Sequence, residues 1–153
     1  MLKTVVMEIN KEQTMETINL DKDINVLCVT AKSFPDGIMD AFDQLHSIVP
    51  VEEKGRQFGI SRPNERGSIV YKAAMEEVHD GEAELLGCEP FVIKKGTYLF
   101  VDRTDFMKDL PGIGNAFQLL ISQPNIDPNG YCLEWYMNDK DVRCMVRLDD
   151  NKN

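Results

Sequence analysis

The sequence is poor in the residues from which most metal sites and catalytic triads are built. Its 153 residues include only two histidines, His46 and His79, and four cysteines, none of them in a C-x-x-C pair. Structural zinc sites need closely spaced Cys and His ligands, and nucleophilic triads need a histidine beside the nucleophile. We therefore expect no metal, no cofactor and no triad of this kind.

Basic residues and long apolar runs are also scarce. Lys and Arg total 17 against 26 Asp and Glu, which gives a formal net charge of −9. Such a chain is poorly suited to neutralising phosphates, so direct binding to nucleic acid is not expected. No run resembles a signal peptide or a membrane span, and cysteines within apolar segments suit a reducing compartment. These absences predict a soluble cytoplasmic protein that does not bind membranes.

What the sequence does contain is one pattern that occurs twice. Residues 37–45, GIMDAFDQL, recur as residues 112–120, GIGNAFQLL, with Gly, Ile, Ala, Phe and Leu in the same places. The offset is 112 − 37 = 75 residues, about half of the chain. Two copies at so long a period indicate two related half-domains rather than a solenoid. Fused halves of this kind usually bind a ligand at their seam.

In the first half, apolar spacing predicts a strand, a helix and a β-hairpin. Apolar and β-branched residues fill positions 24–34, and apolar steps of three and four residues from Gly37 predict a helix. Two strands then flank a turn-forming loop at residues 63–67. Upstream of this half, residues 3–9 are predicted to form a short strand and residues 10–17 a linker.

The second half repeats this order. Residues 90–101 are predicted to form one strand with Gly96 as a bulge, residues 108–123 a helix, and residues 130–148 a hairpin. The expected fold is α+β: two pseudo-symmetric strand-helix-strand-strand repeats form a mostly antiparallel sheet. Both helices are expected on one face of this sheet and a ligand groove on the other.

The most informative strand is formed by residues 131–137, YCLEWYM. Because strand side chains alternate between faces, one face carries Leu133, Trp135 and Met137, and the other carries Cys132, Glu134 and Tyr136. We assign the first set to the helices and the second to the groove. In the alternative interpretation, Glu134 lies on a solvated face and pairs with Arg143 or Arg147.

Alignment of the two halves adds a second residue to this hypothesis. The 75-residue offset aligns Glu134 with Gly59, and a position without a side chain would leave room for a guest. Tyr71 and Tyr98 lie in the middle of predicted strands, where tyrosine most often packs with its hydroxyl at an edge.

Four segments, taken in order, resemble motifs of one protein family. They are QFGISRP (57–63), IVYKAAMEEV (69–78), FVIKKGTYLF (91–100) and LEWY (133–136). The family is the gyrase-inhibitor-like (GyrI-like) group, the small-molecule-binding or effector-binding domains of bacterial transcription activators. The resemblance implies an N-terminal extension over residues 1–22 and an effector-binding domain over residues 23–150. The two repeats of that domain would span residues 23–80 and 88–150.

The resemblance also implies a function and a set of binding residues. Drug-sensing members pair a glutamate at the groove floor with lipophilic cations among aromatic rings, and Glu134 is the matching position here. The aromatic rings carried over from the family are Tyr71, Tyr98 and Tyr136. The predicted binding set also includes Trp135, Gly59 and Ile60. Because the residues before Ile24 are too few for the helix-turn-helix of the activators, we expect a stand-alone binder of amphipathic, cationic small molecules.

Two other functions stay open at this point. Some members of the family are hydrolases of strained, cyclopropane-containing compounds, and Glu134 with Tyr136 or Trp135 would then act as general base. Alternatively, the chain would inhibit a protein partner such as a topoisomerase through its acidic surface, which mimics the charge of nucleic acid.

Overall fold

The computed structural model of the protein describes residues 14–50 and 54–150, which divide into two compact units. The first unit runs from Lys22 to Lys95, and the second combines the described residues 14–21 and 96–150. In chain order the elements are β1 (Glu16–Leu20), β2 (Ile24–Thr30), α1 (Ile38–Ile48), β3 (Gln57–Pro63), β4 (Ile69–Glu76), α2 (Glu82–Leu85), β5 (Glu89–Ile93), β6 (Gly96–Arg103), a 3-10 turn (Phe106–Lys108), α3 (Leu110–Ile121), β7 (Cys132–Tyr136) and β8 (Val142–Arg147).

Strands pair in the same order within each unit. The first unit has the order β3-β4-β2-β5 and the second has β7-β8-β6-β1, and the pairs within each unit are antiparallel. Each unit is therefore a strand-helix-strand-strand repeat with one added edge strand. The predicted α+β class and the predicted strand-helix-strand-strand order within each half are confirmed.

The sequence motif that occurs twice is the apolar face of a helix in each unit. Ala41 and Leu45 of α1 are buried against Leu27, Ala73 and Met75 of its own unit. Ala116 and Leu120, which lie 75 residues further on, occupy the same role in α3 and pack against Val101, Cys144 and Val146. Full burial of a leucine side chain stabilises a fold by about 1.5–3 kcal/mol relative to its exposed state. The repeated motif thus corresponds to the residues with which each helix packs against its sheet.

One predicted strand is in fact two. The apolar run over residues 90–101 breaks at Lys94 and Lys95, so that β5 pairs with β2 and β6 pairs with β8. Gly96 is the first residue of β6, with φ of 134°, rather than a bulge inside one strand. Periodicity missed the break because apolar residues continue on both sides of it.

The predicted N-terminal linker also needs correction. Glu16 and Thr17 begin β1, which lies antiparallel to β6 with Ile18 opposite Tyr98. The strand predicted over residues 3–9 lies outside the described residues. Among the helices that the structure describes, none is long and apolar enough to cross a membrane.

Candidate functional site

Glu134 lies on the face of the second unit's strands that packs against α3. Directly opposite residues of an antiparallel pair project to the same face, and Glu134 is opposite Cys144. Cys144 belongs to the buried cluster that contains Phe117 of α3, and Cys132 and Tyr136 pack against that cluster too.

The predicted orientation of β7 was therefore wrong. Cys132, Glu134 and Tyr136 face α3, and Leu133 and Trp135 project from the other face. The reason is that β7 is covered on both sides: Leu133, which faces away from α3, is 0% exposed. Apolar alternation identifies the core face of a strand only when its other face is solvated.

The carboxylate of Glu134 is enclosed by polar and aromatic neighbours. The residue is only 8% exposed, and its Oε1 accepts a hydrogen bond of 2.5 Å from the Tyr136 hydroxyl. The Tyr136 ring packs edge-on against Phe106, with ring centroids 5.4 Å apart and an interplanar angle of 65°. A carboxylate so far removed from water depends on donors or cations for its stability. Tyr136 supplies one such donor.

The Cys144 thiol beside this carboxylate is not set up as a nucleophile. Burial is the main cause that raises the pKa of Cys144, and the negative charge of Glu134 raises it further. A nucleophilic cysteine requires the opposite, a pKa lowered by a cation or a helix N-terminus. The thiol therefore contributes a small apolar wall to the site.

Arg143 forms its ion pair on the face of the second unit's strands that lies away from α3. Arg143 is opposite Trp135 and binds both oxygens of Asp102, at 2.7 and 3.0 Å. Its guanidinium carbon lies 4.1 Å from the centroid of the Phe100 ring and 5.7 Å from that of Trp135. The alternative interpretation, in which Glu134 pairs with Arg143, is therefore wrong.

Arg147 projects from the same face as Arg143. Its guanidinium binds Asp127 at 3.1 Å and Asp150 at 2.7 Å. These two carboxylates, rather than a solvated Glu134, are the ion-pair partners that the structure gives to Arg147.

Tyr98 also lies on the face away from α3. It is 0% exposed, and its hydroxyl forms a hydrogen bond of 2.9 Å with the hydroxyl of Tyr131. Burial, and then the bond with Tyr131, raise the pKa of Tyr98 well above its ordinary value. Of the sequence-predicted binding residues, then, Glu134 and Tyr136 share one face, and Tyr98 and Trp135 share the other.

The remaining predicted residues belong to the first unit. Tyr71 is buried and packs edge-on against Phe42 of α1, at a centroid distance of 6.3 Å. Gly59 is opposite the core residue Ala73 and so shares the helix-covered face with Tyr71. Ile60 is buried on the other face, opposite Lys72.

Hairpin register gives Glu134 a different counterpart from Gly59. Five residues separate the last strand pairs of the two hairpins, at 64–68 and at 137–141, which is an offset of 137 − 64 = 73. Residue 134 − 73 = 61 is Ser61, which lies opposite Tyr71. The 75-residue offset holds for the helices and is two residues too long for the hairpins.

Phe106 is the residue of this site that sequence reasoning missed. It lies in the 3-10 turn before α3, and its backbone N–H donates to the Lys140 carbonyl at 3.0 Å. A three-residue turn has no periodic signal. Only its neighbours in the folded chain reveal its place beside Tyr136.

Comparisons with known proteins give a fold and no family. No protein-family model matches the sequence, and no curated protein is significantly similar to it. Solved structures do match: an integron cassette protein from Vibrio cholerae has a TM-score of 0.64 at 12% identity, covering 90% of this chain and 96% of that one. A hydrolase from Listeria innocua has a TM-score of 0.60 at 12% identity, covering 97% and 98%. A protein bound to tetraphenylphosphonium has a TM-score of 0.58 at 9% identity, covering 92% and 96%. At these identities the similarities show that the chain shares its fold with these proteins.

Proposed function

We propose that this chain is a small-molecule-binding domain of the gyrase-inhibitor-like type and that it takes lipophilic organic cations beside Glu134. The observation that carries the proposal is the buried carboxylate of Glu134, with the Tyr136 hydroxyl on it and the Phe106 ring behind. A structure of the same fold that holds tetraphenylphosphonium supports the choice of ligand class.

Physical chemistry favours a cation at such a carboxylate. A buried negative charge gains most from a partner that is itself weakly hydrated, because the partner loses little on leaving water. Delocalised or shielded organic cations meet this condition, whereas primary ammonium ions hold their water strongly. An aromatic ring face adds about 0.5–2 kcal/mol for a cation within reach. The positive charge and the apolar surface of such a cation would therefore both contribute to its binding.

The proposal is tested by calorimetric titration of the full chain with tetraphenylphosphonium. Triphenylphosphine oxide serves as the neutral comparator, because it keeps phenyl rings on phosphorus and lacks the positive charge. We expect the cation to bind at least tenfold more tightly than the oxide. Equal affinities would mean that the rings alone drive binding and would contradict a role for the carboxylate.

The carboxylate itself is tested by substitution. Glu134→Gln keeps the shape and removes the charge, and we expect it to weaken tetraphenylphosphonium binding by more than tenfold, which corresponds to more than about 1.4 kcal/mol. Asp102→Asn is the matched control, since it removes one charge from the same unit on the face away from α3. The control should keep its affinity within twofold. Thermal unfolding of both variants establishes that they are folded.

A hydrolase with Glu134 as general base is the second candidate. The match to a structure described as a hydrolase favours it. Turnover of a cyclopropane-bearing substrate that Glu134→Gln abolishes, with substrate still bound, would select this function over simple binding. Inhibition of a protein partner through the acidic surface stays a prediction from charge, and such binding should weaken with added salt.

A further inference from the structure

Most arginines of this chain form ion pairs with carboxylates. Of the six in the sequence, all within the described residues, four form ion pairs there: Arg56 with Glu76, Arg103 with Asp109, Arg143 with Asp102, and Arg147 with Asp127 and Asp150. The other two are Arg62 and Arg66. Neither guanidinium forms an ion pair or a hydrogen bond with any residue that the structure describes. Arg62 and Arg66 therefore stand out in a chain whose formal net charge is −9.

Both exceptions line one depression at the end of the β3–β4 hairpin. Its volume is about 570 Å³, and it is open to solvent. The lining residues are Arg62, Pro63, Asn64, Glu65, Arg66, Val70 and Lys72. None of them belongs to the binding set predicted from the sequence, and all lie in the first unit, whereas Glu134 lies in the second.

The hairpin loop holds the depression in shape. Asn64 is its centre: the Asn64 Oδ1 accepts hydrogen bonds from the backbone N–H groups of Arg66, at 2.9 Å, and Ser68, at 3.0 Å. Its own backbone N–H donates to the Ser68 carbonyl at 2.8 Å. A loop fixed in this way keeps the Cα of Arg66 in place beside the strand that carries Arg62. Less entropy is then lost when both guanidinium groups bind one ligand.

A third cation and an apolar surface complete the lining. Lys72 shares the sheet face of Val70 and Arg62, because Val70 is opposite Arg62 and Lys72 lies two residues further along β4. Its ammonium group is held by the carboxylate of Glu89. Val70 and Pro63 also line the depression and give it an apolar part. The depression thus combines two uncommitted guanidinium groups with a patch suited to an apolar body.

We propose that this depression is a binding site for a small organic anion, a phosphate or carboxylate carried on a compact apolar group. A guanidinium presents a planar fork of N–H donors that matches either oxyanion, and such charge-assisted bonds are the strong class of hydrogen bond. Val70 and Pro63 take the apolar group. This site would bind anions, whereas the site at Glu134 is expected to bind cations. The two proposals are independent of each other.

A small ligand fits these features better than a macromolecule. A polyanion such as nucleic acid would bring many phosphates toward a protein of net charge −9 and find two uncommitted arginines. An acidic peptide would meet the same repulsion from the surrounding carboxylates, of which Glu65 lines the depression itself. A small ligand with a single anionic group avoids most of this electrostatic repulsion.

The test is a nitrogen-15 NMR titration of the full chain with phenyl phosphate at low salt. We expect saturable shifts concentrated at the amides of residues 62–72 and weaker binding when sodium chloride is raised to 0.15 M, where the Debye length is about 8 Å. Inorganic phosphate and benzyl alcohol separate the two contributions: each should bind at least tenfold more weakly than phenyl phosphate. A phosphate ion that binds as tightly as phenyl phosphate would overturn the apolar half of the proposal.

Substitutions assign the binding to the two arginines. The double variant R62Q/R66Q should weaken phenyl phosphate binding at least tenfold. R56Q is the matched control, because Arg56 precedes β3 in the same unit but is already paired with Glu76 at 2.7 Å, and it should stay within twofold. Shifts that are absent, that spread over both units, or that survive in the double variant would overturn the proposal. An acidic peptide that shifts these amides when phenyl phosphate does not would overturn it in favour of a protein partner.

Discussion

Replacement of Gly37 by alanine should destabilise the protein, although this glycine begins a helix and has an ordinary φ of −86°. A Cβ placed there would lie 2.8 Å from both the backbone nitrogen and the backbone oxygen of Ser33. Contacts under 3.0 Å with main-chain atoms cannot be relieved by a side-chain rotation. The turn before α1 would have to shift, and with it the hydrogen bond of 3.1 Å from the Gly37 N–H to the Ser33 carbonyl.

The size of the destabilisation depends on which atoms the new Cβ would contact. Forcing extra volume into a closely packed place costs about 1–3 kcal/mol, which lowers the melting temperature by roughly 2–12 °C in a chain of this length. At the equivalent Gly112, the nearest atoms are side-chain ends, Asp109 Oδ2 at 2.5 Å and Arg103 Nη2 at 2.9 Å. These can move at the expense of their own exposed ion pair, which is worth up to about 1 kcal/mol. Gly112→Ala should therefore cost less than Gly37→Ala.

Gly114 supplies the internal control. It lies exposed inside α3 with nothing within 4 Å of a Cβ, so Gly114→Ala should stabilise the protein by about 0.5–1 kcal/mol through helix propensity. Urea unfolding followed by circular dichroism, with unchanged m values, measures all three variants. A Gly37→Ala protein as stable as the parent, or a Gly114→Ala protein less stable than Gly37→Ala, would refute the packing explanation.

Two further predictions concern titration. Hydrogen bonds from Arg56 lower the pKa of Glu76. The pair therefore stabilises the fold above the ordinary pKa of glutamate, and this stabilisation is lost as the pH falls through the lowered pKa. The titration midpoint of Glu76, measured by NMR, should rise in R56Q. Burial raises the pKa of Cys28 from 9.0 to about 12, so above pH 9 the unfolded chain loses this proton first. The free energy of unfolding should fall as pH rises from about 9 to 12, and fall less steeply in C28A; equal slopes would contradict the assigned burial.

The periodicity of apolar residues was sufficient to predict the two long helices and most of the strands. Ala41 and Leu45, and their counterparts Ala116 and Leu120, occur at helical spacing, so their segments and their buried face could be predicted together. The strand β1 could not be predicted in this way. Its five residues, ETINL, carry only two apolar side chains, and its partner β6 lies some eighty residues further along the chain.

Glu134 could be singled out from the sequence, but the face of β7 on which it lies could not be predicted. Glu134 stands out in sequence because a carboxylate interrupts an aromatic strand, and the structure does bury it. Its direction depends on which side of β7 the helix covers, and both sides are apolar, with Leu133 on one and Cys132 on the other. Tyr98 and Trp135 were grouped with Glu134 by family resemblance alone, and strand parity separates them from it.

The most direct test of a cation site beside Glu134 is the set of nuclear Overhauser contacts between bound tetraphenylphosphonium and the protein. We expect the phenyl protons of the ligand to show contacts with the ring protons of Tyr136 and Phe106. Binding that produces contacts only with Trp135 and Phe100, on the face away from α3, would contradict the site.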